Sequence, residues 1–278
     1  MGCQVAAKAS PGLARTTRPL SIRGMQIGKA GKPVSHISQA YPDRVEVRGR
    51  DLTREVMGAL GFTEYFHLLL TGREPTEDQR FFLDLLLVAI AEHGMMPTNV
   101  AARMTLDADP GSLQGAVAAG ILGCGPVILG TADECARVLE QGVASGDPDA
   151  AARRIAAEAH DAGAKLPGFG HPLHRPLDPR AERILELADE RGMSGPHVEL
   201  ARRLREAVAD VWGKPLTMNV SMPIAAVMLD LGFPATAVKA VPILARTASL
   251  LAHLAEEQEN PIGFLMAGKA EDAIRYER

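Results

Sequence analysis

The chain has 278 residues, enough for one large domain or two unequal ones, and its formal net charge of −4 gives no broad attraction to nucleic acid. Hydrophobic residues make up 46% but aromatics only 4%, so the core must be built from Ala, Leu, Val, Ile and Met, which favours helix packing over a sandwich. Cys3, Cys124 and Cys135 form no CxxC pair; free thiols fit a reducing compartment, and a cytoplasmic location is expected.

Residues 1–33 carry Lys8, Arg15, Arg18, Arg23, Lys29 and Lys32 and no acid, and no hydrophobic core of a secretory signal follows. An organelle-type targeting segment, a flexible arm and an over-extended reading frame with Met25 as a second start all fit. A disordered basic arm over residues 1–35 is the expectation. Met1-Gly2-Cys3 has the look of a lipidation site, but Ala6 stands where myristoylation wants Ser or Thr. No apolar run reaches membrane-spanning length, so no membrane contact is expected.

Ser38 to Arg50 alternates around Val45 and Val47, which predicts a short strand or extended arm. From Asp51 the period changes: Asp51 is placed to cap a helix carrying Leu52, Val56 and Leu60 that Gly61 ends. Thr63 to Leu70 reads as a second apolar helix. Thr76 caps a third, with a wide face of Phe81, Phe82, Leu85, Leu86, Val88 and Ala89. The stretch from His93 to Asn99 interrupts the pattern, and Val100 to Leu106 resumes it. The next helix, Leu113 to Leu122, is rich in small residues (Gly115, Ala118, Ala119, Gly120) that permit close helix contact, in a packed interior or at a subunit interface. Gly123-Cys124-Gly125 has no Gly-Lys-Ser/Thr after it and no strand before it, so packing explains it better than a phosphate loop. Amphipathic helices follow over 132–142, 148–162, 180–191 and 196–211. A polar break spans 214–223. Ile224 to Leu231 and a long apolar helix from Val238 to Glu256 come last, and Glu259-Asn260-Pro261 ends the pattern. The expected fold class is all-α.

The stretch richest in chemistry is Leu166 to Arg180, which sets His171, His174, Arg175, Asp178 and Arg180 among glycines and prolines. Pro172 and Pro176 lack amide hydrogens, so the segment reads as a rigid loop leading into a helix near Pro179. Loops held by a scaffold often carry function. His171 is either a site residue or a loop residue that satisfies backbone carbonyls. His174 assists His171, contacts substrate or caps the loop. His171, His174 and Asp178 have tolerable metal-ligand spacing, but the prolines spoil the helical face that would align them, and no metal is expected. His93 stands at a helix end, as a site residue or a charge–dipole partner. Arg246 lies in an otherwise apolar helix and needs an anion, either an acid such as Glu256 or an anionic ligand. His253 reads as a satisfied interface residue, and Met95, Met96, Met218 and Met222 as adaptable packing.

In order along the chain come Arg48-Gly49-Arg50-Asp51-Leu52, Leu70-Thr71-Gly72-Arg73-Glu74-Pro75, and His93 with Val100-Ala101-Ala102-Arg103. Then follow Gly125-Pro126, Gly168-Phe169-Gly170-His171 with Asp178-Pro179-Arg180-Ala181, Asn219-Val220, Leu231-Gly232-Phe233-Pro234, and Ala245-Arg246 with His253 and Glu256. This succession resembles the citrate synthase superfamily. The resemblance implies an all-α homodimer, with a large helical domain (residues 36–130 and 221–278), an inserted smaller helical domain (131–220) and an active site in the cleft between them. It implies His93 and His171 on a hydroxy- or keto-acid substrate and Arg180, Arg246 and His174 on its carboxylates. Arg175, Lys165 and Gly168 would lie at coenzyme A. Guanidinium forks suit carboxylate and phosphate recognition.

Two positions depart from the family pattern. GPLHGG stands here as Gly125-Pro126-Val127-Ile128-Leu129-Gly130, so Ile128 replaces the histidine expected to stabilise a thioester enolate. NVDFYSG stands as Asn219-Val220-Ser221-Met222-Pro223, so Ser221 replaces the carboxylate expected to move the acetyl proton. Ser221 is left as a catalytic hydroxyl, a hydrogen-bonding contact or the remnant of a lost base; a hydroxyl is a poor substitute for a carboxylate base. These changes resemble the citryl-CoA-lyase-like members of the superfamily. The expected function is a carbon–carbon lyase that cleaves citryl-CoA, or a related 3-hydroxy-3-carboxyacyl-CoA, into acetyl-CoA and a 2-keto acid such as oxaloacetate. Coenzyme A enters as part of the substrate, with no metal or redox cofactor. His171 would be the base for the tertiary hydroxyl, and backbone amides near Gly125–Gly130, Asn219 or Ser221 would face the enolate oxygen. The alternatives are a non-catalytic acyl-CoA or carboxylate binder on the same scaffold, and a condensing acyltransferase.

Overall fold

The computed structural model describes residues 33–129 and 131–278. The basic arm expected over residues 1–35 and the lipidation reading therefore lie, up to residue 32, outside the described residues. Three short antiparallel strands, β1 (Ser38–Ala40), β2 (Val45–Val47) and β3 (Arg50–Asp51), pair in chain order. Val47 is the buried residue of this ribbon, and the Arg48 guanidinium ties it to the Leu69 carbonyl.

Asp51 caps the next turn as expected, accepting from the amides of Thr53 and Arg54. That turn is only a short π-helical one, Leu52–Val56, which the chain leaves at Met57. The helix expected to run on to Leu60 does not form because its apolar face meets no partner. Of Leu52, Val56 and Leu60 only Val56 is buried, and an isolated turn has little stability of its own.

The rest of the described chain is helical: α1 (Phe62–Thr71), α2 (Glu77–Ala91), α3 (Pro97–Ala108), α4 (Leu113–Leu122), α5 (Thr131–Val143), α6 (Pro148–Asp161), α7 (Pro179–Glu190), α8 (Pro196–Trp212), α9 (Ser221–Asp230), α10 (Ala235–Val238), α11 (Ala240–Glu259) and α12 (Gly263–Ala273). Thr76 caps α2 through a reciprocal box with Gln79, and Asp147 and Asp178 cap α6 and α7. Helix α9 starts earlier than the proline at 223 suggested. Pro223 sits in its first turn, where a missing amide hydrogen costs no intrahelical bond. Helix α12 was not expected. Its sequence has no apolar stripe, and its start is fixed from a distance: Glu257 accepts from the amides of Ile262 and Gly263, and Asp107 from that of Phe264.

The main core joins α2, α5, α6, α7, α8 and α9 with Val238, Val241 and Ala245. A second, smaller core of Ala102, Leu106, Ala116, Leu250 and Leu254 lies among α3, α4 and the far half of α11. Close approach here needs the small residues of α4: a Cβ at Gly120 would come within 2.7 Å of the Leu250 side chain. Helix α9, C-terminal to residue 220, shares its core with α5, α7 and α8. Helix α11 spans both cores. The run Ala235–Glu259 is long and apolar enough by composition to cross a membrane, which corrects the expectation that no such run exists. In this fold it is the central helix, packed by α2, α3 and α4. Its middle carries Arg246 between the two cores, level with the end of α2, and that is where the site forms.

Candidate active site

The loop from Leu166 to Asp178 joins α6 to α7 and is pinned against the segment before α9. Phe169 pairs with Met218 in an isolated antiparallel bridge. The Gly170 amide donates to Thr217 O at 2.7 Å, the Asn219 amide to Gly168 O at 2.9 Å, and the Asn219 side chain to Gly170 O at 3.0 Å. Gly168 has φ +80°, and a Cβ there would lie 2.7–2.9 Å from the side chains of Met222 and Cys135. Its role is therefore to let the loop lie flat on α5 and α9. The Thr217 hydroxyl holds the carbonyls of His174 and Pro176.

Asp178 is fully buried and fully used. It accepts from the Arg180 amide, from Arg180 Nε at 3.0 Å and Nη2 at 2.8 Å, and from the Val220 amide. Burial alone would raise its pKa, but these bonds outweigh it and hold the carboxyl below its ordinary range. Asp178 is thus removed from the metal-ligand set that its spacing allowed. It fixes Arg180 instead.

The loop brings together His171 and His174, and α2 delivers His93 to the same point. Ring centroids lie 5.3 Å apart for His93–His171, 5.2 Å for His93–His174 and 4.4 Å for His171–His174. Nδ1 of His171 accepts from the amides of Leu173 at 3.1 Å and His174 at 2.8 Å. That nitrogen must be unprotonated, so the neutral ring carries its proton on Nε2 and is a donor. This corrects the expectation that His171 is the base: in this arrangement its free nitrogen gives a hydrogen bond rather than takes a proton. Burial and the neighbouring His174 lower the His171 pKa, and burial and Arg180 lower that of His93, so both rings favour the neutral form.

His93 is aimed by a residue that sequence reading missed. Glu92 Oε1 accepts from the amides of His93 at 2.9 Å and Gly94 at 2.7 Å, while Oε2 accepts from Ser249 at 2.6 Å and meets His253 Nε2 at 3.0 Å. Burial works against its charge, but these partners keep the Glu92 carboxyl below its usual value. That makes it an anchor and a poor proton acceptor. A glutamate directly before His93 was the available signal.

Two arginines are buried here, and their surroundings differ. Arg103 meets both Glu256 and Glu257 and also His253. Arg246 donates from Nη1 to Asn99 Oδ1 at 2.9 Å, and among the described residues its Nε has no partner and it forms no ion pair. Glu256, the acid considered for Arg246, is taken by Arg103. Burial presses the Arg246 pKa down; Glu92 and Cys124 oppose this and Arg180 adds to it. A buried guanidinium with an orphaned N–H is a site for an anion.

Two cavities flank the loop. One of about 770 Å³ is lined by Lys165, Gly168, His171, Trp212 and Asn219, with Pro126 and Val127 opposite. The other, about 410 Å³, is lined by His171, Arg175, Lys214 and Thr217. His171 borders both, and Lys214 is a second cation beside Arg175 that sequence reading passed over. Ser221 begins α9; its amide, not its hydroxyl, bonds to Asn219 Oδ1, and it lines neither of these cavities. Nitrogens of His93, His171 and His174 lie within 4.8 Å of one another, close enough to suit a zinc-like ion. Two amides already occupy His171 Nδ1, however, and the Arg180 guanidinium stands 3.5 Å from His171 Nε2. The local field favours an anion over a cation.

The profile of the family described as citrate synthase, C-terminal domain, matches residues 35–265. Citrate synthase of Saccharolobus solfataricus is 29% identical over 71% of this chain and 53% of its own length, and the chain spans about half the length of the curated relatives it matches. Among solved structures, citryl-CoA lyase from Hydrogenobacter thermophilus superposes with a TM-score of 0.80 at 29% identity, covering 91% of this chain and 95% of that one. ATP citrate lyase from Methanothrix soehngenii, in complex with citrate and coenzyme A, shares the fold with a TM-score of 0.71 at 20% identity, over 99% of this chain and 46% of that one. Fold, ordered motifs and site geometry agree: the chain belongs to the citrate synthase family, as a citryl-CoA-lyase-like member.

Proposed function

We propose that the protein is a carbon–carbon lyase that cleaves citryl-CoA, or a related 3-hydroxy-3-carboxyacyl-CoA, into acetyl-CoA and a 2-keto acid, oxaloacetate in the first case. The observation that carries this reading is Arg246, a buried cation without a carboxylate partner among the described residues, close enough to the cluster of three histidines for its charge to act on His93. One substrate carboxylate would answer Arg246, and Arg180, locked by Asp178, would orient another. His171 Nε2–H would hold the oxygen that passes from hydroxyl to carbonyl. Lys165 in the larger cavity and Arg175 with Lys214 in the smaller one offer cations for the coenzyme A phosphates. The similarity to the Hydrogenobacter citryl-CoA lyase over nearly the whole of both chains supports the same choice. The reading includes a cytoplasmic homodimer, for which the small-residue helix α4, with Leu113 and Leu122 exposed, offers a face.

The test is to give purified protein citryl-CoA and follow acetyl-CoA and oxaloacetate. Release of both at equal rates is expected. The changes at Ile128 and Ser221 favour one competing reading, a non-catalytic acyl-CoA binder. Its mark would be a raised melting temperature with CoA esters and no product.

A further inference from the structure

His174 and His93 touch through their outer nitrogens, Nε2 to Nε2 at 3.1 Å. A nitrogen–nitrogen hydrogen bond needs one N–H and one lone pair, so the contact holds a single bridging proton. In a neutral pair the ring that donates the bridge has a lone pair at Nδ1, and the ring that accepts it carries a proton at Nδ1. Among the described residues neither Nδ1 has a hydrogen-bond partner. The pair therefore has a base at one end and an acid at the other. When a proton enters at the bare Nδ1, the bridging proton crosses and a proton leaves from the other Nδ1, the two ends exchange and both rings stay neutral.

Both rings are held where this can work. His93 is fixed by Glu92 through its amide. His174 is fixed by its amide on His171 and by Thr217 on its carbonyl. His171 cannot join, because two amides occupy its Nδ1; its Nε2–H is left as the fixed donor beside the pair. Ser221 offers no base.

We infer that His93 and His174 form a proton relay, which takes the tertiary hydroxyl proton of the substrate at one Nδ1 and releases a proton at the other. This rests on the lyase reading and deepens it, and it moves His174 from carboxylate binding to proton transfer. As the O–H proton enters the relay, the oxygen's electrons form the keto C=O and the C–C bond breaks. Its electron pair passes to the thioester as an enolate. The far end of the relay releases its proton to water and the enolate carbon takes one from water, so the pair ends one turnover with as many protons as it began with but with its two tautomers exchanged, and proton exchange with water at the two Nδ1 atoms restores them.

The experiment pairs nitrogen-15 detection of the histidine ring nitrogens with kinetics on citryl-CoA, for wild type and His174→Gln. Glutamine can hydrogen-bond to His93 but cannot carry a proton through. The expected spectra show His171 as the Nε2–H form and show His93 and His174 titrating together, with the His93 titration displaced in H174Q. The expected kinetics are a fall in kcat of about 10²–10⁴-fold with KM nearly unchanged. If H174Q keeps its kcat, or loses affinity alone as a carboxylate contact would, the relay is overturned. If wild type releases no product, the lyase reading fails; the relay then stands or falls on the spectra, and independent titration of His93 and His174 overturns it.

Discussion

Arg103 and Arg246 are both completely or almost completely buried, and their contrast gives a prediction with opposite signs. Arg103→Met would strand Glu257, whose side chain is 0% exposed, without its cation. Breaking a buried pair from one side costs about 3–5 kcal/mol, a drop in Tm on the order of 10 °C for a chain of this size. Arg246→Met removes a guanidinium whose Nε is orphaned among the described residues and whose sole bond to them is to Asn99 Oδ1, an atom that keeps the Thr98 hydroxyl. Replacing an uncompensated buried charge with an apolar chain of similar volume should leave stability within about 1 kcal/mol of wild type, or raise it. The loss appears only with ligand. Saturating citrate or oxaloacetate at about a hundred times Kd should stabilise wild type by about 2.7 kcal/mol. In R246M that gain should fall below about 1 kcal/mol, because removing one partner of a buried charge contact costs about 2–5 kcal/mol of binding. Urea unfolding of both variants, with and without citrate, reads all four quantities. Should R246M unfold as easily as R103M, or should citrate stabilise it as it does wild type, Arg246 is a structural cation and the anion-site argument is wrong.

Gly168→Ala should cost about 1–3 kcal/mol in the same assay, because the new methyl meets Met222 and Cys135 at under 3 Å on a backbone with φ +80°; an unchanged midpoint refutes the packing role. Asp178→Asn should destabilise by about 3 kcal/mol, since Arg180 is held by both carboxylate oxygens, and a crystal structure of the variant should show Arg180 displaced. His171→Ala should lower turnover of citryl-CoA by at least about 10²-fold through loss of a fixed donor, and full activity would exclude His171 from the chemistry. Stability should also follow pH in a set direction. His93 and His171 titrate below the ordinary imidazole value, first because of burial. As pH falls past about 6.5, the unfolded chain takes up protons that the folded site refuses. Their contribution is complete above that pH and is lost on acidification until the site itself protonates; replacing both with Asn should flatten the slope.

The sequence was most legible where one residue decides one local event. Asp51 and Thr76 announced their caps because a side-chain oxygen two or three residues from an amide needs no distant partner. The loop around His171 was visible from its prolines. Illegible features were those set by groups far apart in the chain. The start of α12 depends on Glu257 and on Asp107, the latter more than 150 residues earlier. The choice of Arg103 over Arg246 by Glu256 depends on how α3 and α11 cross, which no spacing rule states. His171 looked like a base because its residue type allows that; only the two amides on Nδ1 reveal the tautomer, and they arise from the turn at Pro172 and Leu173. Glu92 was overlooked because an acid at a helix end is unremarkable until four partners converge on it.

The same geometry bears on which step of the reaction the two changed positions leave without help. Condensation begins by taking a proton from the methyl carbon of a thioester, a weak acid that needs a carboxylate close by and donors on the developing enolate oxygen. The chain has Ser221 and Ile128 where those groups would stand, and Glu92 cannot substitute because its oxygens are engaged. Cleavage begins at an oxygen-bound proton, which an imidazole pair can accept, and its enolate needs only a proton from solvent at the end. Microscopic reversibility links the two directions, so the missing carbon base slows enolate protonation and acetyl-CoA deprotonation alike and leaves carbon–carbon cleavage, which needs only the oxygen-bound proton, as the step the site can accelerate. On this reasoning, acetyl-CoA incubated with the protein in deuterium oxide should exchange its methyl protons far more slowly than citryl-CoA is cleaved. Rapid exchange would mean that a carbon base exists after all, and that the residues around His171 are not the whole of the machinery.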